Sequence, residues 1–232
     1  VAVADGGTGK SSWTQYQIPY PSATTTFSQS ANLTFNGTTH QVGGTTNYVA
    51  TSASGTVYGG TARPKRSFFI SGGAFTPSTT SGSIQPAKYE YTTNKVNLIR
   101  NAFNGTGRTY SECSIAMPKG YAAGSTIKAI FYWTVDAGTG TVIWEISGRA
   151  YADNNSIDQA QGTKVAITDT ILGPYYMHIS PESGEITLAG NPAGEQFVQL
   201  KVSRDGGTDT NNGTAYLLGV LIKYTATQES DA

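Results

Sequence analysis

An alternation with a period of two recurs through the C-terminal two thirds of the chain and constrains its fold more than any other feature. In EQFVQLKVSR, the apolar Val198, Leu200 and Val202 alternate with Gln199 and Lys201, and Tyr216, Leu218, Val220, Ile222 and Tyr224 alternate with their neighbours in the last run. Successive side chains of a strand point to opposite faces, so this spacing predicts strands with one buried face. Further β-like runs are RSFFISGGAF, AKYEYTT, NKVNLIRNAF, TIKAIFYWTV, TVIWEISGRAYA, TKVAITDT and GEITLAG. No segment holds the three-and-four spacing of a helix over a useful length.

The runs are separated by turn chemistry such as Ala137-Gly138 and DGGTDTNNG, which favours antiparallel connections. The fold class expected is therefore all-β, an antiparallel jelly-roll-like β-sandwich with an extended, loop-rich N-terminal segment. FYWTV is apolar on both faces and reads as a central, doubly covered strand, with Trp133 and Trp144 in the core. Residues 1–65 are rich in Thr, Ser, Gly and Asn and are expected to form an attachment or shaft segment, with residues 66–232 as the sandwich head. Leu33 and Phe35 alternate ahead of Asn36-Gly37, a dipeptide favoured at tight hairpins. Trp13 is expected to anchor the N-terminal segment. Beginning at Val1 without Met, the chain reads as the end of a longer product.

Charge removes two partner classes. Fifteen basic and fifteen acidic residues give a formal net charge of +0. The sequence thus offers neither a basic field for nucleic acid nor a polybasic stretch for an anionic membrane. The single cysteine, Cys113, cannot make an internal disulfide and sits in the alternating series Cys113, Ile115, Met117, so a buried strand position is expected. One cysteine suits assembly in a reducing cytoplasm.

GGTGKSS resembles a phosphate-binding loop, but Ala4 stands where the first glycine belongs and only three residues precede the motif. Nothing after Lys10 is spaced as a helix, so the stretch reads as an exposed glycine-rich turn rather than a nucleotide site. No catalytic, cofactor or metal site is expected. Glu145, Asp153, Asp158, Asp169, Asp205 and Asp209 are available to a glycan-cleaving pair, yet most lie near turns, where aspartate serves backbone amides. His40 and His178 have no ligand partners at metal spacing, and DGGTDTNNG lacks the order of a calcium loop.

From residue 66 to about 226, SFFISGGAFTPSTTSG, MPKGY, FYWT, VIWEISGRAYADNNSID, TKVAITDT, ISPESGEITLAGNPAGE, VQLKVSRD and LLGVLIKY follow one another in a fixed order. That order resembles a C-terminal β-domain of tailed-bacteriophage virion proteins, and ADGGTGKSS is similar to the GGTG-type joints between modules of tail fibres. The resemblance implies a non-enzymatic virion protein, a homotrimeric tail fibre or spike exposed on the particle. Its expected partners are its own copies, other virion proteins through the N-terminal segment, and a host-surface glycan. A capsid decoration or connector protein is the alternative, and a glycan-degrading spike a second. Candidate receptor contacts are Tyr175 and Tyr176 of GPYYMH, and Asp209 and Asn211 of DGGTDTNNG, because rings beside polar groups suit glycan recognition. Packing of the two tyrosines against another subunit is an equal alternative.

Overall fold

The computed structural model describes residues 12, 14–23 and 26–227. GGTGKSS before Ser12, and Trp13, lie outside them. The chain divides into two compact units, one running to Pro64 and taking in Ala226 and Thr227, the other Lys65–Thr225.

The N-terminal unit is a five-stranded antiparallel meander of β1 (Gln17–Ala23), β2 (Thr26–Phe35), β3 (Thr39–Gly43), β4 (Tyr48–Ser52) and β5 (Gly55–Tyr58), paired in chain order. This corrects the expectation of an extended, loop-rich segment. Threonine and valine are good strand formers even without a core, and short turns let each strand satisfy its backbone groups on the next. The β2–β3 hairpin turns at the expected Asn36-Gly37. Only Gly37 takes a positive φ, 94°, while Asn36 Oδ1 accepts hydrogen bonds from the amides of Thr38 and Thr39. Beyond the hairpin, Phe35 and His40 stack at 4.2 Å. Before Pro64, Gly59 is the only buried residue among those whose side chains are described.

The second unit is a sandwich of two antiparallel sheets. It contains β6 (Lys65–Ser71), β7 (Thr76–Pro77), β8 (Ile84–Tyr91), β9 (Val96–Phe103), β10 (Arg108–Ala116), β11 (Ile127–Val135), β12 (Thr141–Tyr151), β13 (Val165–Thr170), β14 (His178–Ile179), β15 (Phe197–Asp205) and β16 (Ala215–Thr225). One sheet has the order β13-β12-β15-β10-β7, and the other β14-β11-β16-β9-β8. The long β16 lies against β11 and shares its opposite edge between β9 and β6.

Between the sheets the expected alternation becomes a core. Val198, Leu200 and Val202 of β15 are fully buried, as are Ala129, Phe131 and Trp133 of β11. Trp144 is central, stacked on Phe131 at 5.4 Å and edge-on to Phe103 at 5.1 Å and Trp133 at 6.0 Å. Cys113 is buried in β10, where loss of hydration pushes its thiol up to about 12.

Two expectations need correction. GEITLAG is not a strand: Ile186 bridges to Ile127 and Ala189 to Arg149, so the segment crosses from one sheet to the other and pairs briefly with each. The last run also does not keep one face throughout. A register irregularity against Tyr132 and Trp133 leaves Leu218 unpaired in β16. Val220, Ile222 and Tyr224 point inward, whereas Tyr216 and Leu218 are half-buried on the outer face, with Ala215 and Leu217 inside. An extra residue in a strand re-aims the side chains beyond it, and Gly219 marks the place: the Phe69 ring lies over it, where a side chain would stand.

Candidate functional site

The outer face of the β14-β11-β16-β9-β8 sheet carries a groove of about 520 Å³ at the β8–β9 end. Its first wall grows from YEYTTN. Tyr89 and Tyr91 lie two residues apart on one face of β8, in register with Leu98 and Val96 of β9. Their rings meet edge to face at 4.9 Å. The connecting turn, Thr92–Lys95, places Thr92, Thr93 and Asn94 on the rim.

A second part of the lining comes from the loop between β13 and β14. Its Gly173-Pro174 turn is anchored by the Tyr175 amide, which donates to the Val135 carbonyl at 2.7 Å, and by the Leu172 amide, which donates to His178 Nε2 at 2.8 Å. His178 in turn is buried against the Trp133 ring at 4.2 Å. Held this way, Tyr175 and Tyr176 stand 53% and 61% exposed, with the Tyr175 ring edge-on to Tyr91 at 5.8 Å. Leu98, Thr134, Met177 and Leu218 complete the lining. The register irregularity in β16 is what brings Leu218 to this side of the sheet.

Arg100 stiffens the tyrosine wall. Its guanidinium lies 3.4 Å from the Tyr89 ring centre and 3.9 Å from that of Tyr216, and Nη1 donates to Asp136 at 2.6 Å. A cation between two aromatic faces and tied to a carboxylate has little freedom to rotate. Burial, with Asp136 acting in the same direction, pushes the Tyr216 phenol up to about 12. Tyr89 is raised as well, by lost hydration first and then by Tyr175 and Asp136. Both phenols are therefore neutral donors at physiological pH. No residue lining the groove carries a formal charge.

Of the four residues expected to meet a receptor, the structure brings Tyr175 and Tyr176 together in this groove. Asp209 and Asn211 require correction. The Asp209 carboxylate is fully buried and accepts from Arg204 Nε at 2.8 Å and Nη2 at 3.1 Å, while Asn211 is buried with its amide donating to the Gly213 carbonyl. Arg204 itself is fully buried and also donates to the carbonyls of Phe103, Asn211 and Gly213. The polar letters of DGGTDTNNG thus hold the loop from inside.

Three of the other acids are similarly engaged, while Asp153 and Asp158 are exposed. Glu145 is buried among Arg108, Lys164 and Ser203, Asp205 pairs with Arg108, and Asp169 accepts from the Trp133 indole at 2.8 Å. Sequence reasoning missed Tyr89, Tyr91, Arg100, Asp136 and Thr134. The signal for the first two was present in YEYTTN, two aromatic residues on one strand face just before a polar turn. Arg100 and Asp136 are 36 residues apart and give no local sign of meeting.

No family model and no curated protein matches the chain. Among solved structures, it is similar to the CBM22-2 xylan-binding domain of Paenibacillus barcinonensis Xyn10C at 15% identity, covering 69% of this chain and 99% of that one, with a TM-score of 0.40. A cycloisomaltooligosaccharide glucanotransferase of Paenibacillus sp. aligns at 11% identity and a TM-score of 0.39, over 66% of this chain, which spans 18% of the enzyme. The enzymatically active domain of bacteriophage CBA120 tailspike protein 4 aligns at 8% identity and a TM-score of 0.31, over 68% of this chain and 19% of that one. Likenesses of this size carry no argument about what the groove does.

Proposed function

We propose that the protein is a non-enzymatic adhesion module of a bacteriophage appendage, working as a homotrimer on the virion and binding a host-surface glycan through the tyrosine groove. The observation that carries this reading is the cluster of four tyrosines, Tyr89, Tyr91, Tyr175 and Tyr176, lining an uncharged cleft with a Thr-Thr-Asn rim. Aromatic rings offer flat apolar area to sugar rings at small entropic cost, and neighbouring hydroxyls and amides give direction. The lining holds no pair of carboxylates, the groups that glycoside cleavage ordinarily uses, and suits binding without turnover.

Trimerisation is supported by apolar side chains on the same outer face. Phe69, Leu221 and Ile130 stand in register across three strands, and Ile179 in register with Tyr132, with Phe69 and Ile179 more than half exposed. Identical weak sites on one trimer would raise overall affinity through effective concentration. The ordered resemblance to virion β-domains supports the phage setting.

The test is binding of the full chain to a panel of host-surface polysaccharides and intact cells, with Tyr175→Ala and Tyr176→Ala alongside the wild type. Each variant is expected to lose about tenfold in affinity, the worth of one stacked ring, with the melting temperature unchanged. Unaltered binding in both variants would remove the groove from the function, and release of reducing ends would make the protein an enzyme. Native mass measurement returning a monomer would refute the trimer.

A further inference from the structure

One atom of the groove is out of keeping with the rest. Thr134 is 2% exposed and lines the cleft, and its hydroxyl has no hydrogen-bond partner among the described residues. It stands on the outer face of β11, in register with Tyr216, beneath the loop that carries Tyr175 and Tyr176. A buried hydroxyl without a partner costs stability, and a ligand that completed it would recover that cost. The same lining also includes four apolar side chains, Val96, Leu98, Met177 and Leu218.

These two features demand different things of a ligand. A plain hexose could satisfy the hydroxyl and the Thr-Thr-Asn rim, but it carries no apolar substituent for Val96, Leu98, Met177 and Leu218. A 6-deoxy sugar also brings a methyl group to the apolar surface but offers Thr134 only a ring hydroxyl, whereas an acetamido group carries its methyl and its hydrogen-bonding amide on one substituent. Acidic and cationic sugars would bring a charge into a lining that has no counter-charge. An acetamido group meets both demands, since its amide can exchange a hydrogen bond with a hydroxyl while its methyl group occupies apolar space.

We infer that the groove recognises a neutral 2-acetamido sugar, with the acetyl methyl against Val96, Leu98, Met177 and Leu218 and the amide hydrogen-bonded to Thr134 Oγ1. This rests on the glycan-binding function proposed for the same groove. Thr134 is then the residue that sets specificity, and the tyrosines supply affinity for sugar rings in general.

The experiment titrates the full chain with trisaccharides of N-acetylhexosamine in the gluco, galacto and manno configurations, each matched to its hexose counterpart, and repeats the series with Thr134→Val. An acetamido form is expected to bind about tenfold tighter than its hexose match, with the strongest saturation transfer in ligand NMR at the acetyl methyl protons. Thr134→Val keeps shape and removes the hydroxyl. It should lose that tenfold preference and melt at the wild-type temperature or above. Equal binding of acetamido and hexose forms, or unchanged preference in Thr134→Val, overturns the acetamido assignment while glycan binding stands. A lower melting temperature of the variant would show the hydroxyl to be structural, also overturning it, and failure to bind any sugar would take down the parent function as well.

Discussion

Replacing Arg204 by Met should cost the sandwich about 4 kcal/mol, within the range for breaking a buried ion pair by removing one partner. The Arg204 guanidinium makes five hydrogen bonds: two to the Asp209 carboxylate and one each to the carbonyls of Phe103, Asn211 and Gly213. Both charges are fully buried, so Met in place of Arg leaves Asp209 an uncompensated anion in the interior. Asp209 keeps weaker partners in the amides of Ile143 and Asn211, which holds the cost near the middle of the range. In a folded unit of this size, about 4 kcal/mol corresponds to a melting temperature lower by roughly 8–16 °C. The double variant Arg204→Met/Asp209→Leu removes the stranded charge and should recover much of the loss, because well-packed apolar residues often replace a buried pair with little penalty. Urea and thermal unfolding can be followed by fluorescence of Trp133 and Trp144, which are fully buried in the native state. If Arg204→Met fell within about 1 kcal/mol of wild type, the pair would be behaving as a surface salt bridge and the reading of this loop as an internally clamped element would fail.

Cys113 should resist thiol reagents in the native protein at pH 8 and react fully once unfolded, because burial holds its thiol at about 12 against an ordinary 9.0. The folded state keeps a proton that the unfolded chain releases, so this contribution to stability is complete below pH 9 and is lost as pH rises towards 12, visible as a falling melting temperature over that window in wild type but not in Cys113→Ala. Gly219→Ala should destabilise by about 1–3 kcal/mol, since a methyl there would fall on the Phe69 ring and 2.7 Å from the Ile70 carbonyl; wild-type unfolding by Gly219→Ala would mean that β6 does not pack across β16 as described. Arg100→Met should loosen the Tyr89 wall and weaken glycan binding, and a shifted Tyr89 ring resonance in NMR spectra would report the change directly.

How much of this was legible beforehand depended on the range of the signal. Burial of Trp133, Trp144 and Cys113 could be read from neighbours two residues away, because a strand in a sandwich has one dry face and its side chains must alternate. Tyr175 and Tyr176 could be found because a Gly-Pro turn next to two rings is local information. Asp209 and Asn211 were misplaced for a physical reason. Polar residues in a glycine-rich loop look solvent-facing unless a buried cation awaits them, and Arg204 reads as one more residue of the alternating run VQLKVSRD.

The sequence alone therefore determined the all-β class, most strand runs of the second unit and the apolar identity of its core, since each follows from spacing or composition along the chain. Tertiary structure alone decided which face each end of the last strand presents, because the irregularity at Leu218 arises from β16 pairing with β11. It also decided the groove, whose walls come from segments some 80 residues apart and are joined by the register between strands. Side-chain alternation is a property of a single strand, whereas a binding cleft depends on which strands lie side by side, and that is settled only when the sheets assemble.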